Sequence, residues 1–216
     1  MIRLLLIQLS ILTMALAADQ LRPGDMLPTL SGKTLSGKQA ELPAADKDSN
    51  RAVVFSFSKA AGADSRLWNE RLEKENGSGS PVVSYTVIML EAVPRLIRGM
   101  AVSGIKGGMP QARWDRTILS YKDEDSWKKR LGVSADKYSY VVLLDGGGRI
   151  CWLGSGPFTD SGYAGLKDAL SRLRQSAISE RIRNAPAWRL RQSAGWNRPA
   201  PARSPRNATL FRSSGG

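Results

Sequence analysis

The feature that most constrains this chain is one apolar strand feeding a helix through a short polar turn. Val53-Val54-Phe55-Ser56-Phe57-Ser58 runs into Lys59-Ala60-Ala61-Gly62-Ala63-Asp64-Ser65-Arg66. Leu67, Trp68 and Leu72 then recur at helical spacing, which predicts a helix from about Asp64 to Glu75, with Asp64 or Ser65 as its cap. Asn76-Gly77-Ser78-Gly79-Ser80 breaks that helix, and Val82 to Leu90 is apolar enough for a central parallel strand buried on both faces. A strand, a crossover helix and a parallel strand set the handedness and layering of whatever follows.

The rest of the order fits that start. Leu21 to Lys38 reads as an extended lead-in with a small hairpin, and Pro43 to Asn50 as a polar loop. Pro94 opens a helical segment that ends in Gly104, Gly107 and Gly108. Thr117 to Tyr121 is a short strand, and Asp123 caps a helix holding Trp127 and Leu131 that Gly132 stops. Tyr138 to Leu144 and Arg149 to Leu153 form a hairpin around Asp145-Gly146-Gly147-Gly148, and a last helix spans about Tyr163 to Ser176. The fold class is α/β, a mixed central sheet flanked by helices, with a basic inserted segment after the second core strand.

Composition then removes chemistries. Among 216 residues there is one cysteine, Cys151, and no histidine. An intramolecular disulfide is impossible, and the usual general base and metal ligand is missing. Histidine-based hydrolases and zinc sites are excluded, and no metal or cofactor is expected. Asp123, Glu124 and Asp125 are consecutive and read as a helix N-terminus, not as ligands of one ion. The glycines around Lys106 lack the spacing of a phosphate loop.

The termini carry a separate signal. Met1 to Ala17 has one cation, Arg3, an apolar run from Leu4 to Leu16, and Ala15-Leu16-Ala17 before Ala18. That is the layout of a signal peptide over residues 1–18, so the protein is expected to be exported, periplasmic or secreted. The domain is expected over 19–183 and a disordered Arg-rich tail over 184–216. After Leu170 there are ten arginines against one acid, Glu180, so nine of the thirteen net positive charges lie there. Trp188, Trp196 and Phe211 interleave with them, but behind a signal peptide anionic lipid suits the tail better than nucleic acid.

Two resemblances follow. The element order is thioredoxin-like, and in thiol-disulfide oxidoreductases a C-G-P-C motif occupies the strand-to-helix junction. Here that slot is Ala61-Gly62-Ala63-Asp64, and the approach to the facing strand, Asp136-Lys137-Tyr138-Ser139-Tyr140, has no proline. The slot reads either as a degenerate redox site in which Asp64 or Ser65 binds something at the helix N-terminus, or as a plain helix cap. The hairpin, Tyr140-Val141-Val142-Leu143-Leu144-Asp145 followed by Gly148-Arg149-Ile150-Cys151-Trp152-Leu153-Gly154-Ser155-Gly156, resembles the signature of the mitochondrial F-type ATP synthase assembly factors, with Cys151 where that signature has arginine.

That resemblance implies a redox-inactive binding protein that assists assembly of a membrane protein complex, with that complex's subunits as partners. Its expected contact residues are Arg95 and Arg98 in the basic Glu91–Met100 segment, and Arg149 and Trp152 in the hairpin. The competing expectation is an exported thiol-disulfide or peroxide reductase acting through Cys151 with a partner's thiol. On a regular strand Ile150 and Trp152 share one face while Arg149 and Cys151 share the other, so Arg149 is placed to lower the thiol pKa.

Overall fold

The computed structural model describes residues 20–43, 49–76 and 82–183. The expected signal peptide at 1–18 and tail at 184–216 lie outside the described residues. The strands are β1 (Leu30–Thr34), β2 (Gln39–Leu42), β3 (Asn50–Ser56), β4 (Val82–Met89), β5 (Thr117–Ser120), β6 (Tyr140–Leu144) and β7 (Ile150–Gly154). The helices are α1 (Ala61–Asn76), α2 (Arg98–Gly107), α3 (Glu124–Leu131) and α4 (Asp160–Arg183), with short 3-10 turns at Arg95–Ile97 and Gln111–Arg116.

All seven strands join one mixed sheet in the order β2-β1-β5-β4-β3-β6-β7. β4 runs parallel to both neighbours, β3 and β5, which makes it the expected inner strand. It is not buried throughout, because Val83, Ser84, Tyr85 and Ile88 are half-exposed. β6 runs antiparallel to β3, and β7 antiparallel to β6.

Alternation along β3 divides the interior. Val53 and Phe55 join Val87, Met89, Val142 and Leu144 on one face, where α3 lays Trp127 onto Phe55 with ring centroids 5.3 Å apart. Ala52 and Val54 point the other way, to Leu72 of α1 and Leu166 of α4. A third cluster of Leu35, Leu90 and Leu119 seats the inserted α2 through Val102 and Ile105.

Several ends differ from the sequence reading. α1 starts at Ala61, a turn earlier than expected, because the Ser58 hydroxyl accepts the Ala61 N–H at 3.3 Å. α3 has Asp123 at its N-cap, but Asp123 sits at φ 63° and makes no side-chain cap bond. The carboxylate of Glu91 takes that role and accepts the Glu124 N–H at 2.7 Å, while Glu124 accepts the Ala92 N–H at 3.3 Å. α4 begins at Asp160 because Thr159 caps it, its hydroxyl accepting the Gly162 N–H at 3.0 Å. The chain divides into compact units at Leu173 and Arg174, inside α4, and the described part of the second unit is the stretch to Arg183.

Candidate functional site

At the junction of β3 and α1, the Ala61–Asp64 slot forms the first helical turn. Ala61 is fully buried, Gly62 and Ala63 are exposed, and Asp64 is 8% exposed. Asp64 is not a cap for its own helix. Its two oxygens reach across to distant loops, one accepting the Ser139 N–H at 2.8 Å and the other the Phe158 N–H at 2.6 Å. Ser65, the other expected cap, is also turned inward. Its hydroxyl bonds Ser56 on one side and Ser139, at 2.7 Å, on the other. Ser139 completes the set by donating its hydroxyl to the Ala61 carbonyl at 3.3 Å.

The loop that faces the turn is therefore locked onto it. The polar groups of the turn and of the facing loop satisfy one another. Without a sulfur in the turn, the positive end of α1 has no thiol to activate. What the arrangement does chemically is join α1 to the approach to β6 and the approach to α4 through one carboxylate, with β3 tied in by the Ser56–Ser65 hydroxyl pair.

The hairpin holds the second group of expected residues. Asp145 shapes its turn, one carboxylate oxygen accepting the N–H groups of Gly147 and Arg149, both at 2.9 Å. Opposite this turn the register slips. Leu144 pairs with Ile150 and Leu143 with Trp152, so Cys151 is an extra residue in a β-bulge. The expected alternation fails for that reason. Ile150 joins the core under α3, whereas Cys151 and Trp152 pack toward α1 and α4.

Trp152 is half-buried, its ring 6.1 Å from that of Trp68. Arg149 is exposed and donates to the Gly24 carbonyl, tying the lead-in to the hairpin. Cys151 is half-buried, and burial pushes its thiol above the ordinary value, with the Asp145 charge adding to the effect and Arg149 only partly offsetting it. At pH 7.5 iodoacetamide should alkylate Cys151 more slowly than free cysteine, with the rate still rising above pH 9. Alkylation as fast as free cysteine at neutral pH would contradict that placement.

The inserted segment separates the two arginines expected to bind a partner. Arg98 turns inward: its Nε donates to the Val93 carbonyl at 2.9 Å, a terminal nitrogen to that of Glu91 at 3.2 Å, and its guanidinium sits 4.9 Å from the centre of the Tyr121 ring. Arg95 is exposed. Beside it Leu96 is 99% exposed and Met100 76%. Amphipathic spacing in the sequence identified this helix but could not say which apolar residues would be left uncovered.

Arg95 and Arg98 follow β4, whereas Arg149 and Trp152 flank or lie on the edge strand β7, with β3 and β6 between. The four form two groups, not one patch. Among the described residues, no helix is long and apolar enough to cross a membrane. No cluster of metal-ligating side chains occurs among them either.

Comparison with known proteins agrees with this architecture. A protein from Chlorobium tepidum described as a thiol:disulfide interchange protein, DsbE, superposes with a TM-score of 0.52 at 14% identity, covering 71% of this chain and 99% of its own. One from Bacteroides thetaiotaomicron described as a protein disulfide isomerase gives 0.51 at 16% identity, over 71% of this chain and 90% of its own. At such identities the likeness establishes a thioredoxin-like fold and nothing about activity. No curated protein matches the sequence. One family, described as ATP10 protein, matches residues 25–173.

Proposed function

The chain belongs to the ATP10 protein family, and from that premise we propose that it works by binding, without redox turnover, to assist assembly of a membrane complex such as the F-type ATP synthase. The observation that carries this reading is the first turn of α1. Ala61 and Asp64 stand where a dithiol would, and the Asp64 carboxylate is committed to Ser139 and Phe158. Cys151, the one sulfur nucleophile in the sequence, sits on the bulge of β7 with its thiol pKa raised. A reductase would need that thiol lowered and open.

The partners are subunits of the membrane complex, met where the Arg95–Met100 tip, which the fold leaves uncovered, reaches their membrane. The export reading of residues 1–18 belongs to the same proposal, placing the domain against a membrane outside the compartment of its synthesis.

The test is recovery of the tagged full chain from its native membranes in mild detergent, with co-purifying proteins quantified by mass spectrometry. Membrane-sector subunits of the ATP synthase should be enriched, and Arg95→Glu should lower that enrichment about fivefold. Arg95 is the informative position because Arg98→Glu would also break the clasp on Val93 and Glu91. Absence of those subunits, or insulin reduction that depends on Cys151, would overturn the proposal.

A further inference from the structure

Assembly of a complex does not by itself explain why the inserted segment ends in bare apolar side chains. Leu96 is 99% exposed, Met100 76% and Ile97 47%. Solvated apolar groups this close together mark a contact surface. Three observations decide what covers it.

The first is charge. From residue 92 to residue 114 the chain has no aspartate or glutamate; Arg95 is exposed and Lys106 half-buried, while Arg98 is clasped inward and Arg113 is buried against Glu73. The second is shape. The outer face of α2 continues from Met100 through Ser103, Gly104 and Gly107, all exposed, and a Cβ built on either glycine would meet nothing within 4 Å. Nothing stands over this face, and the three exposed apolar side chains offer far less than the roughly 800 Å² per partner of a stable protein interface.

The third is support. The Arg98 clasp and the exchange between Glu91 and Glu124 fix the base of the segment, while Val102 and Ile105 hold α2 on Leu35, Leu90 and Leu119. The tip is preorganised and does not have to fold in order to bind.

The geometry points to a membrane-surface tip: Leu96, Ile97 and Met100 enter the acyl boundary of a bilayer bearing anionic headgroups, with Arg95 at headgroup level. Such a surface needs only a few apolar side chains when cations flank them, and it is insensitive to the lack of a matching groove. This deepens the assembly reading by naming what the tip touches, and the observations that carry it are those of the tip alone.

A local probe tests the idea in the full chain, because the arginines after residue 184 bind anionic vesicles by charge alone. Met100→Cys in a Cys151→Ser background carries an environment-sensitive fluorophore, and vesicles contain phosphatidylcholine with or without about 30% phosphatidylglycerol. A blue shift on the anionic vesicles is expected, with partition about tenfold weaker when Leu96→Asp is added or the anionic lipid is omitted. Leu96→Ser serves as the second variant should the aspartate disturb the fold, which circular dichroism reports.

Three results would overturn the inference. One is vesicle binding with no shift at the label. Another is an equal shift from a label at the exposed Lys33→Cys on β1. The last is a shift that appears only with an apolar membrane-protein peptide in detergent. No assembly client is present, so the outcome is independent of the co-purification experiment.

Discussion

Asp64→Ala should cost this domain about 3–4 kcal/mol of unfolding free energy, while Asp64→Asn should cost roughly half of that. The size follows from where the two acceptor oxygens point. One takes the Ser139 N–H at 2.8 Å and the other the Phe158 N–H at 2.6 Å, in a site only 8% exposed. Hydrogen bonds to a charged acceptor contribute about 1.5–3 kcal/mol each, and alanine leaves both donors without a partner or easy access to water. Asparagine keeps one acceptor and replaces the other with an NH2 group that faces a donor, so one bond survives.

Chemical denaturation of the three proteins measures the ordering directly. A loss below 1 kcal/mol for Asp64→Ala would mean that the two loops are held by something else. The same experiment bears on function. If Asp64 were a ligand-binding residue held in a strained turn, its removal would stabilise the domain, not weaken it.

The residues that were readable in the sequence are those whose signal is local. The spacing of Leu67, Trp68 and Leu72 identified α1, and the Asp145–Gly148 turn identified the β6–β7 hairpin. Gly132 ends α3 at φ 62°, a conformation that favours glycine. The residues that were misread depend on contacts between distant parts of the chain.

Asp64 and Asp123 both carry the local preference of a cap, yet Asp64 lies inside its helix and Asp123, at the N-cap, makes no side-chain cap bond. The donors at Ser139 and Phe158 claim the first, and Glu91 supplies the bond expected of the second. The bulge at Cys151 is likewise invisible to a period-two reading. It becomes visible only once Leu143 and Leu144 fix the register. Arg95 and Arg98 look alike in sequence and diverge because Tyr121, on the loop after β5, gives only Arg98 a ring to lie on.

The helix that carries Asp64 is seated by Trp68, and Trp68→Ala should be the most damaging single truncation, at about 4 kcal/mol. The Trp68 ring is 3% exposed and lies 5.2 Å from Phe158, 6.1 Å from Trp152 and 6.1 Å from Tyr163, centroid to centroid. It closes the space between α1, β7 and α4, and no neighbour there can move in without giving up its own contacts.

Trp68→Phe should cost only about 1 kcal/mol. Phenylalanine keeps most of the aromatic contact and removes an indole N–H that is buried with no hydrogen-bond partner among the described residues. Near-equal losses for the two variants would show that this N–H is satisfied in solution.

Because Trp68 packs on Phe158, whose N–H is bonded to Asp64, the two truncations share a loop and should not add. The double variant should lose at least about 0.5 kcal/mol less than the sum of the singles. Strict additivity would separate the aromatic seat from the carboxylate bridge and refute a single, jointly held support for this loop.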